Sequence, residues 1–499
     1  MVDVTISKLV AERRLDRFVA DNRRVIVQLF APTSTPRLRS ILRRILSMPD
    51  EARHSVLSQT LAGFVGRHRD LPGLLMSNFD RLCLRLRRDE QFDMLLHLEG
   101  LEPDDKLMVG AFFSLEYSVE AAAFFNPSMV QHPDQSDLPR GSVRFILSFR
   151  AVGEGHISSV VFRSGVINAQ GHIVFEPVTN YVQTPEVLED PKYDKYVFGL
   201  KLKEMGFYNS VSQGILAPLG DMFGRQEMEA RIHRADGAGK GEDFEATVQA
   251  MRWLAECNYE LVFNPHRDLS ERVLFPVSPQ ERKGIEDARF VRFVNDDGST
   301  TYYATYTAYD GTTILPQIIE TQDFSTFRIA TLNGSAVVGK GFSLFPRRIK
   351  GMYYMIGRQD GESLTIMQSD NIHFWHNYRP LWGPVEAWEM VQIGTCGSPI
   401  ETERGWLLLT HGVGTMRRYC IGAMLLSLDD PSKVIARLRH PLIEPAEDER
   451  EGYVPNVVYS CGGMIHNGEL IIPYAMSDTK SSLATVKLDE LMNSMTPVR

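Results

Sequence analysis

Cysteine is scarce in this 499-residue chain, and its placement rules out several chemistries. The five residues, Cys83, Cys257, Cys396, Cys420 and Cys461, are scattered and odd in number. No C-x-x-C occurs, nor any Cys/His spacing of a structural zinc site. Reduced, buried thiols are the expectation, as in a cytoplasmic protein. Long apolar runs are also missing. No stretch of about 18 apolar residues is present, so no transmembrane helix is expected. The opening MVDVTISKLVAERRLDR has no apolar core of a secretory leader. Excess positive charge is absent as well: the net charge is −9, which gives no general attraction to nucleic acid or anionic membrane. The glycine-rich GAGKG, residues 237–241, lacks the spacing of a phosphate loop and a preceding strand, and reads as a linker.

What is present is an ordinary globular composition, 43% hydrophobic and 23% charged, long enough for two or three domains. Two textures alternate. Residues 1–100 read as helical, with apolar positions at helical spacing in Ile41, Leu42, Ile45, Leu46 and in Leu57, Leu61, Phe64, Val65. Arginines crowd the polar faces, among them Arg13, Arg14, Arg23, Arg24, Arg37, Arg39, Arg43 and Arg44. No aromatic residues interleave with them, so a solvated or acid-paired face is expected, not a nucleic-acid surface. From about residue 115 short strands and turns take over. Residues 142–151 and 302–308 alternate or run as strands. A degenerate repeat of roughly 45–60 residues places an acidic turn before an aromatic, as at Asp370 before Phe374 and Trp375, and at Asp323 before Phe324. By period alone the choice between β-propeller and β-sandwich stays open. Residues 193–234 and 241–257 revert to helical spacing.

The densest chemistry lies in GIEDAR, residues 284–289, where Glu286 and Asp287 adjoin Arg289. In an extended segment neighbouring side chains point to opposite faces, so one carboxyl alone faces a given cleft. A carboxyl held beside charge has a tunable pKa, as general acid catalysis requires. GIEDAR resembles the G-x-E-D-P-R signature of glycoside hydrolase family 130, the β-mannoside phosphorylases and β-mannosidases, with Ala288 where the family usually has proline. Six further segments match in the family's order: NPS at 126–128, SFRA at 148–151, LFP at 344–346, WLLLTHG at 406–412, PNVVY at 455–459 and YAMSDT at 474–479.

The resemblance implies a five-bladed β-propeller over residues 115–499, an N-terminal helical region over 1–114, and a helical insertion between blades at about 193–257. It assigns Asp287 as the general acid. Arg358, His411, Lys340 and Tyr419 would hold inorganic phosphate, and Asn126, Ser128, Arg150, His156 and Asp478 would hold the mannosyl unit. Inorganic phosphate is the co-substrate, with no cofactor and no metal. The implied reaction is inverting phosphorolysis of β-mannosides to α-mannose 1-phosphate, with β-1,2-mannooligosaccharides as the substrate suggested by chain length and the helical N-terminal region. One departure bears on this. The phosphorylases usually carry Lys or Arg before I-G in W-x-x-x-[KR]-I-G, and here WEMVQIG, residues 388–394, has Gln392. A β-mannosidase using water is therefore the alternative, and a catalytically silent carbohydrate-binding propeller a third. Expected partners are a β-mannoside oligosaccharide and phosphate, with no nucleic acid or membrane, and a homo-oligomer left open.

Overall fold

The computed structural model describes residues 9–188, 190–235 and 241–498; residues 237–240 of the glycine-rich linker and the first eight residues of the opening segment fall outside. The chain divides into two compact units. Residues 21–121 with 179–183 form the smaller, and the rest forms the larger. Residues 9–20, grouped by sequence with the helical region, belong to the larger unit, where Glu12–Arg13 pairs with strand Lys480–Lys487. Among the described residues no helix is long and apolar enough to cross a membrane.

The smaller unit packs five helices, Thr35–Leu46, Asp50–Phe64, Leu71–Arg88, Phe92–Glu99 and Pro103–Phe112. Leu38, Leu42, Leu82, Leu86, Leu98 and Val109 form its core. Gly110 lets Pro103–Phe112 approach Leu71–Arg88, because a Cβ there would stand 2.1 Å from the Leu75 carbonyl oxygen. The helical reading of residues 1–100 needs two corrections: Glu12–Arg13 is the strand named above, and a second strand lies farther along. Val25–Leu29 is a strand, paired with Ser114–Ser118. VIVQL is rich in β-branched residues, which lose rotamer freedom in a helix and fit a pleated edge. The arginine faces are partly acid-paired: Arg53 with Asp105, Arg67 with Glu116 and Arg87 with Glu99.

The larger unit is an all-β scaffold of antiparallel meanders. The first runs Ala123–Gln131, Val143–Val152, Ser158–Ile167 and Ile173–Phe175. The second runs Gly284–Val294, Thr300–Tyr309, Ile314–Thr321 and Thr326–Thr331, with Tyr259–Val262 on its outer edge. The third runs Ser343–Leu344, Tyr353–Gly357, Leu364–Ser369 and Tyr378–Trp382. The fourth runs Gln392–Thr395, Gly405–Val413, Tyr419–Leu426 and Val434–Arg437. The fifth runs Val458–Tyr459, Glu469–Met476 and Lys480–Lys487 and is completed by Glu12–Arg13. The acidic turns at Asp323 and Asp370 each follow the third strand of a meander. The helices Lys195–Glu204, Ser210–Leu216, Arg225–Ala235 and Glu242–Glu256 lie in sequence between the first and second meanders.

Apolar clusters fill the spaces between successive meanders, and this explains the strand sequences. Along Gly405–Val413, Leu407 and Leu409 pack toward the fifth meander, while Trp406 and Leu408 pack toward the third. Both faces are buried, so the strand reads as a continuous apolar run and not as an alternation. Trp375 and Trp406 are fully buried, as core residues.

Candidate active site

Five meanders send their first strands toward one cleft. Asn126 comes from the first, Asp287 from the second, Gly341 from the turn that opens the third, Gly394 and Thr395 from the fourth, and Tyr459 from the fifth. Second strands or the residue just after them supply Arg150, Thr305, Arg358 and His411, and Asp478, which follows the second strand of the fifth meander, is near enough for the charge of Asp287 to act on it.

Asp287 reaches the cleft through a backbone irregularity. Register with the neighbouring strand shifts between Glu286 and Arg289, and Asp287 takes a left-handed φ of 55°. Asn126 sits in a matching shift between Phe125 and Ser128, with φ 49°. Bulges of this kind re-aim a side chain that plain alternation would point elsewhere. The two meet: Asn126 Nδ2 donates to Asp287 Oδ1 at 2.7 Å. Arg150 spans both carboxylates, Nη1 to Asp287 Oδ1 at 3.2 Å and Nη2 to Glu286 Oε1 at 2.7 Å. Lys340 Nζ lies 3.8 Å from Glu286 Oε2. Burial pushes the Asp287 carboxyl up, but Arg150, Lys340 and the Asn126 hydrogen bond outweigh it and hold the group below its ordinary 3.8. Asp478 shows the opposite balance. Burial, then the charge of Asp287, push it up to about 6.

Arg289 ties four meanders together. Its guanidinium donates to Ser343 Oγ, to the Thr395 carbonyl and hydroxyl oxygens, and to the Tyr459 hydroxyl. It is 3% exposed, and no carboxylate pairs with it among the described residues. Arg358 also lines the cleft without a carboxylate partner among the described residues. Its Nη1 lies 3.4 Å from His411 Nε2, and its Nε is buried without a hydrogen bond. Burial, with Arg289 adding repulsion, pulls the Arg358 guanidinium below its ordinary value. Two desolvated guanidiniums with no fixed anion favour an anionic ligand, because opposite charge relieves the cost of burying them.

His411 differs from the cation that its predicted role suggests. Burial, Arg358 and Arg289 hold the imidazole well below its ordinary range, so it is neutral near pH 7. Glycine at 394 is required beside it, since a Cβ would stand 2.3 Å from His411 Cε1 and 3.2 Å from Arg358 Nη1. Gln392 Nε2 lies 3.3 Å from His411 Nε2. Tyr419 stacks on His411, ring centroids 5.7 Å apart.

The structure thus brings Asp287, Asn126 and Arg150 together, and groups Arg358 with His411, Gln392 and Tyr419. Lys340 stands at the cleft, half exposed. Ser128 is not at the cleft: its Oγ is 1% exposed for the residue and accepts from the Phe290 backbone N–H at 3.1 Å, which fastens the first meander to the second. His156 is exposed and stacks on Tyr453 at 5.9 Å. Sequence reasoning missed Arg289, Thr395 and Tyr459 as site residues. Arg289 and Tyr459 lay inside quoted motifs, but Thr395 carried no signal. Among the described residues no group of three His, Cys, Asp or Glu gathers as a metal site.

A family model described as beta-1,4-mannooligosaccharide phosphorylase matches residues 252–497. A 1,2-beta-oligomannan phosphorylase of Thermoanaerobacter sp. (strain X514) is 34% identical over 235 residues, which cover 45% of this chain and 75% of the relative. The chain belongs to glycoside hydrolase family 130. A beta-1,2-mannobiose phosphorylase of Listeria innocua is 28% identical over 302 residues, covering 56% of this chain and 82% of that relative. The Listeria innocua enzyme solved with beta-1,2-mannobiose is similar over 76% of this chain and 92% of its own, at 23% identity and a TM-score of 0.45. The family match covers the second through fifth meanders, and with them Asp287, Arg358 and His411.

Proposed function

We propose that this protein is a β-mannoside phosphorylase acting by inversion: phosphate attacks the anomeric carbon, the glycosidic C–O bond breaks, and α-mannose 1-phosphate leaves with the shortened saccharide. The observation that carries this reading is the pair of guanidiniums, the buried Arg289 and the partly buried Arg358, lining the cleft beside Asp287 without carboxylate partners among the described residues. A phosphate nucleophile needs convergent cations there. A water nucleophile needs a carboxylate base instead. The names of the relatives favour β-1,2-linked mannooligosaccharides as substrate.

Asp287 is the proton donor to the departing oxygen. Its carboxyl is held in the ionised form by Arg150, Lys340 and Asn126, which outweigh the effect of burial. An anion on the guanidiniums and Lys340 removes part of that support and adds a negative neighbour, so phosphate binding raises the Asp287 pKa toward the protonated form the step needs. Asn126, Arg150 and Asp478 hold the mannosyl hydroxyls around it. The scaffold reading is a five-bladed propeller. It is supported by the five meanders, by the apolar clusters between successive ones, and by the bridge of Ser128 in the first to Gly462 beside the fifth.

Gln392 favours a second reading, a β-mannosidase, since it supplies a donor without charge. Product analysis separates the two. With β-1,2-mannobiose as substrate, mannose 1-phosphate is expected only when phosphate is supplied, and turnover is expected to stop in phosphate-free buffer. Free mannose released at an undiminished rate without phosphate selects the hydrolase. Arg358→Ala is expected to raise the KM for phosphate by about ten-fold to a hundred-fold, with a smaller effect on that for the saccharide.

A further inference from the structure

The helix Lys195–Glu204 buries one face and turns the other to an open groove. Phe198 and Leu202 pack into the apolar cluster of the helical insertion. On the opposite face Tyr196, Gly199, Leu200 and Lys203 recur at i, i+3, i+4 and i+7 and line the groove. Gln213 and Leu216 of Ser210–Leu216 form its other wall. A turn completes it. The first helix ends in a Schellman motif: the Phe207 N–H donates to the Leu202 carbonyl at 2.8 Å, the Gly206 N–H to the Lys203 carbonyl at 3.1 Å, and Gly206 takes a left-handed φ of 81°. The chain folds back and lays the Tyr208 ring over Gly199, where a Cβ would stand 3.2 Å from Tyr208 Cε2. Glycine weakens a helix interior; here its missing side chain makes room for that ring. Tyr208 stays 45% exposed and Tyr196 72%, so two aromatic rings stand open on one groove.

We propose that this groove is a second saccharide site, which holds a neutral mannooligosaccharide outside the catalytic cleft. The proposal rests on the β-mannoside reading above for the identity of the sugar. A β-mannosyl ring groups axial C–H bonds on one face, which pack on an aromatic ring, and carries hydroxyls around its edge, which pair with amide, ammonium and carboxylate groups. The groove offers both. Lys195 Nζ is taken by the Leu219 carbonyl at 2.6 Å, and Asp194 Oδ1 by the Val197 N–H at 2.8 Å. Among the described residues the side chains of Tyr196, Tyr208, Lys203 and Gln213 have no hydrogen-bond partner. Lys195 and Lys203 balance Asp194 and Asp221, so no excess charge selects an ionic ligand. The aliphatic lining is Leu200, Leu216 and Ala217, with Leu216 itself buried, which is too little for the apolar centre of a protein interface.

The test is calorimetric titration of the full-length protein with β-1,2-mannotetraose in phosphate-free buffer, beside Tyr196→Ala and Tyr208→Ala. Two saccharides per chain are expected. Each substitution is expected to weaken one binding event about ten-fold and leave the other unchanged. With phosphate supplied, turnover of β-1,2-mannobiose is expected to stay within about two-fold of the wild type in both variants. A protein that consumes the tetrasaccharide with phosphate yet binds one saccharide per chain, with an affinity that neither substitution changes, overturns this inference and leaves the phosphorylase reading standing. A protein that binds saccharide at the groove but forms no mannose 1-phosphate keeps the site and overturns that reading. The two substitutions are independent, so either decides the matter if the other variant does not fold.

Discussion

Asp287 and Asp478 feel one another's charge in environments that drive their titrations apart, one held low by Arg150 and Lys340, the other pushed up to about 6 by burial and by Asp287. Asp287→Asn removes the proton carrier and leaves the Asn126 and Arg150 surroundings in place. Turnover is expected to fall by about two to four orders of magnitude, with an unchanged circular dichroism spectrum. Gly394→Ala tests a close approach. The added methyl must displace His411 and Arg358, so kcat/KM for phosphate is expected to fall at least about ten-fold while the protein stays folded. A Gly394→Ala enzyme with wild-type phosphate kinetics would show that the two side chains do not need their present positions.

Among the elements, the helix Lys195–Glu204 is fastened by a buried lysine. Lys201, 3% exposed, donates to Asn258 Oδ1 at 2.8 Å and to the Thr331 hydroxyl at 2.9 Å, and burial lowers its pKa to about 7. The neighbouring His373 is pushed down to about 3 by burial and by Lys201. Between pH 7 and the unfolded lysine value of about 10.4, the unfolded chain holds a proton that the folded chain does not, so folding gains stability as pH rises through that window. Lys201→Met lacks the titration. Urea unfolding of both proteins at pH 7 and pH 9 is expected to show the wild type gaining about 2 kcal/mol relative to the variant. Parallel behaviour of the two proteins would mean that Lys201 stays charged when buried.

For the larger unit as a whole, sheet completion depends on residues distant in sequence. Glu12–Arg13 supplies the outer strand of the fifth meander, and Arg13 clamps Glu449 with Nε–Oε1 at 2.9 Å and Nη2–Oε2 at 3.0 Å. Glu449 is 1% exposed and also accepts from the Tyr474 hydroxyl at 2.6 Å. Arg13→Ala leaves this carboxylate buried with its charge uncompensated. A loss of about 3 kcal/mol is expected, seen as a lower urea midpoint at unchanged slope. Phosphate kinetics are expected to be unaffected, because Arg13 makes no contact with the cleft residues.

The sequence by itself determined the strand content beyond residue 115 and the core roles of Trp375 and Trp406, and it singled out Asp287 in GIEDAR, because these follow from local pattern and from short motifs. It also placed Arg358 and His411 in one site through family resemblance. Local pattern could not distinguish the strand Val25–Leu29 from the helices around it, since so short a run as VIVQL satisfies either period. Only the tertiary structure decided which side chains converge. Ser128 lies two residues from Asn126, yet the bulge between Phe125 and Ser128 sends one to Asp287 and the other to the Phe290 backbone. Arg289 became a four-meander tie and Thr395 its acceptor through contacts with sequence separations of 54, 106 and 170 residues. The electrical character of His411 was likewise set by folding. A histidine in a Thr-His-Gly segment is uncommitted in sequence; burial, two guanidiniums and one backbone carbonyl make it an acceptor.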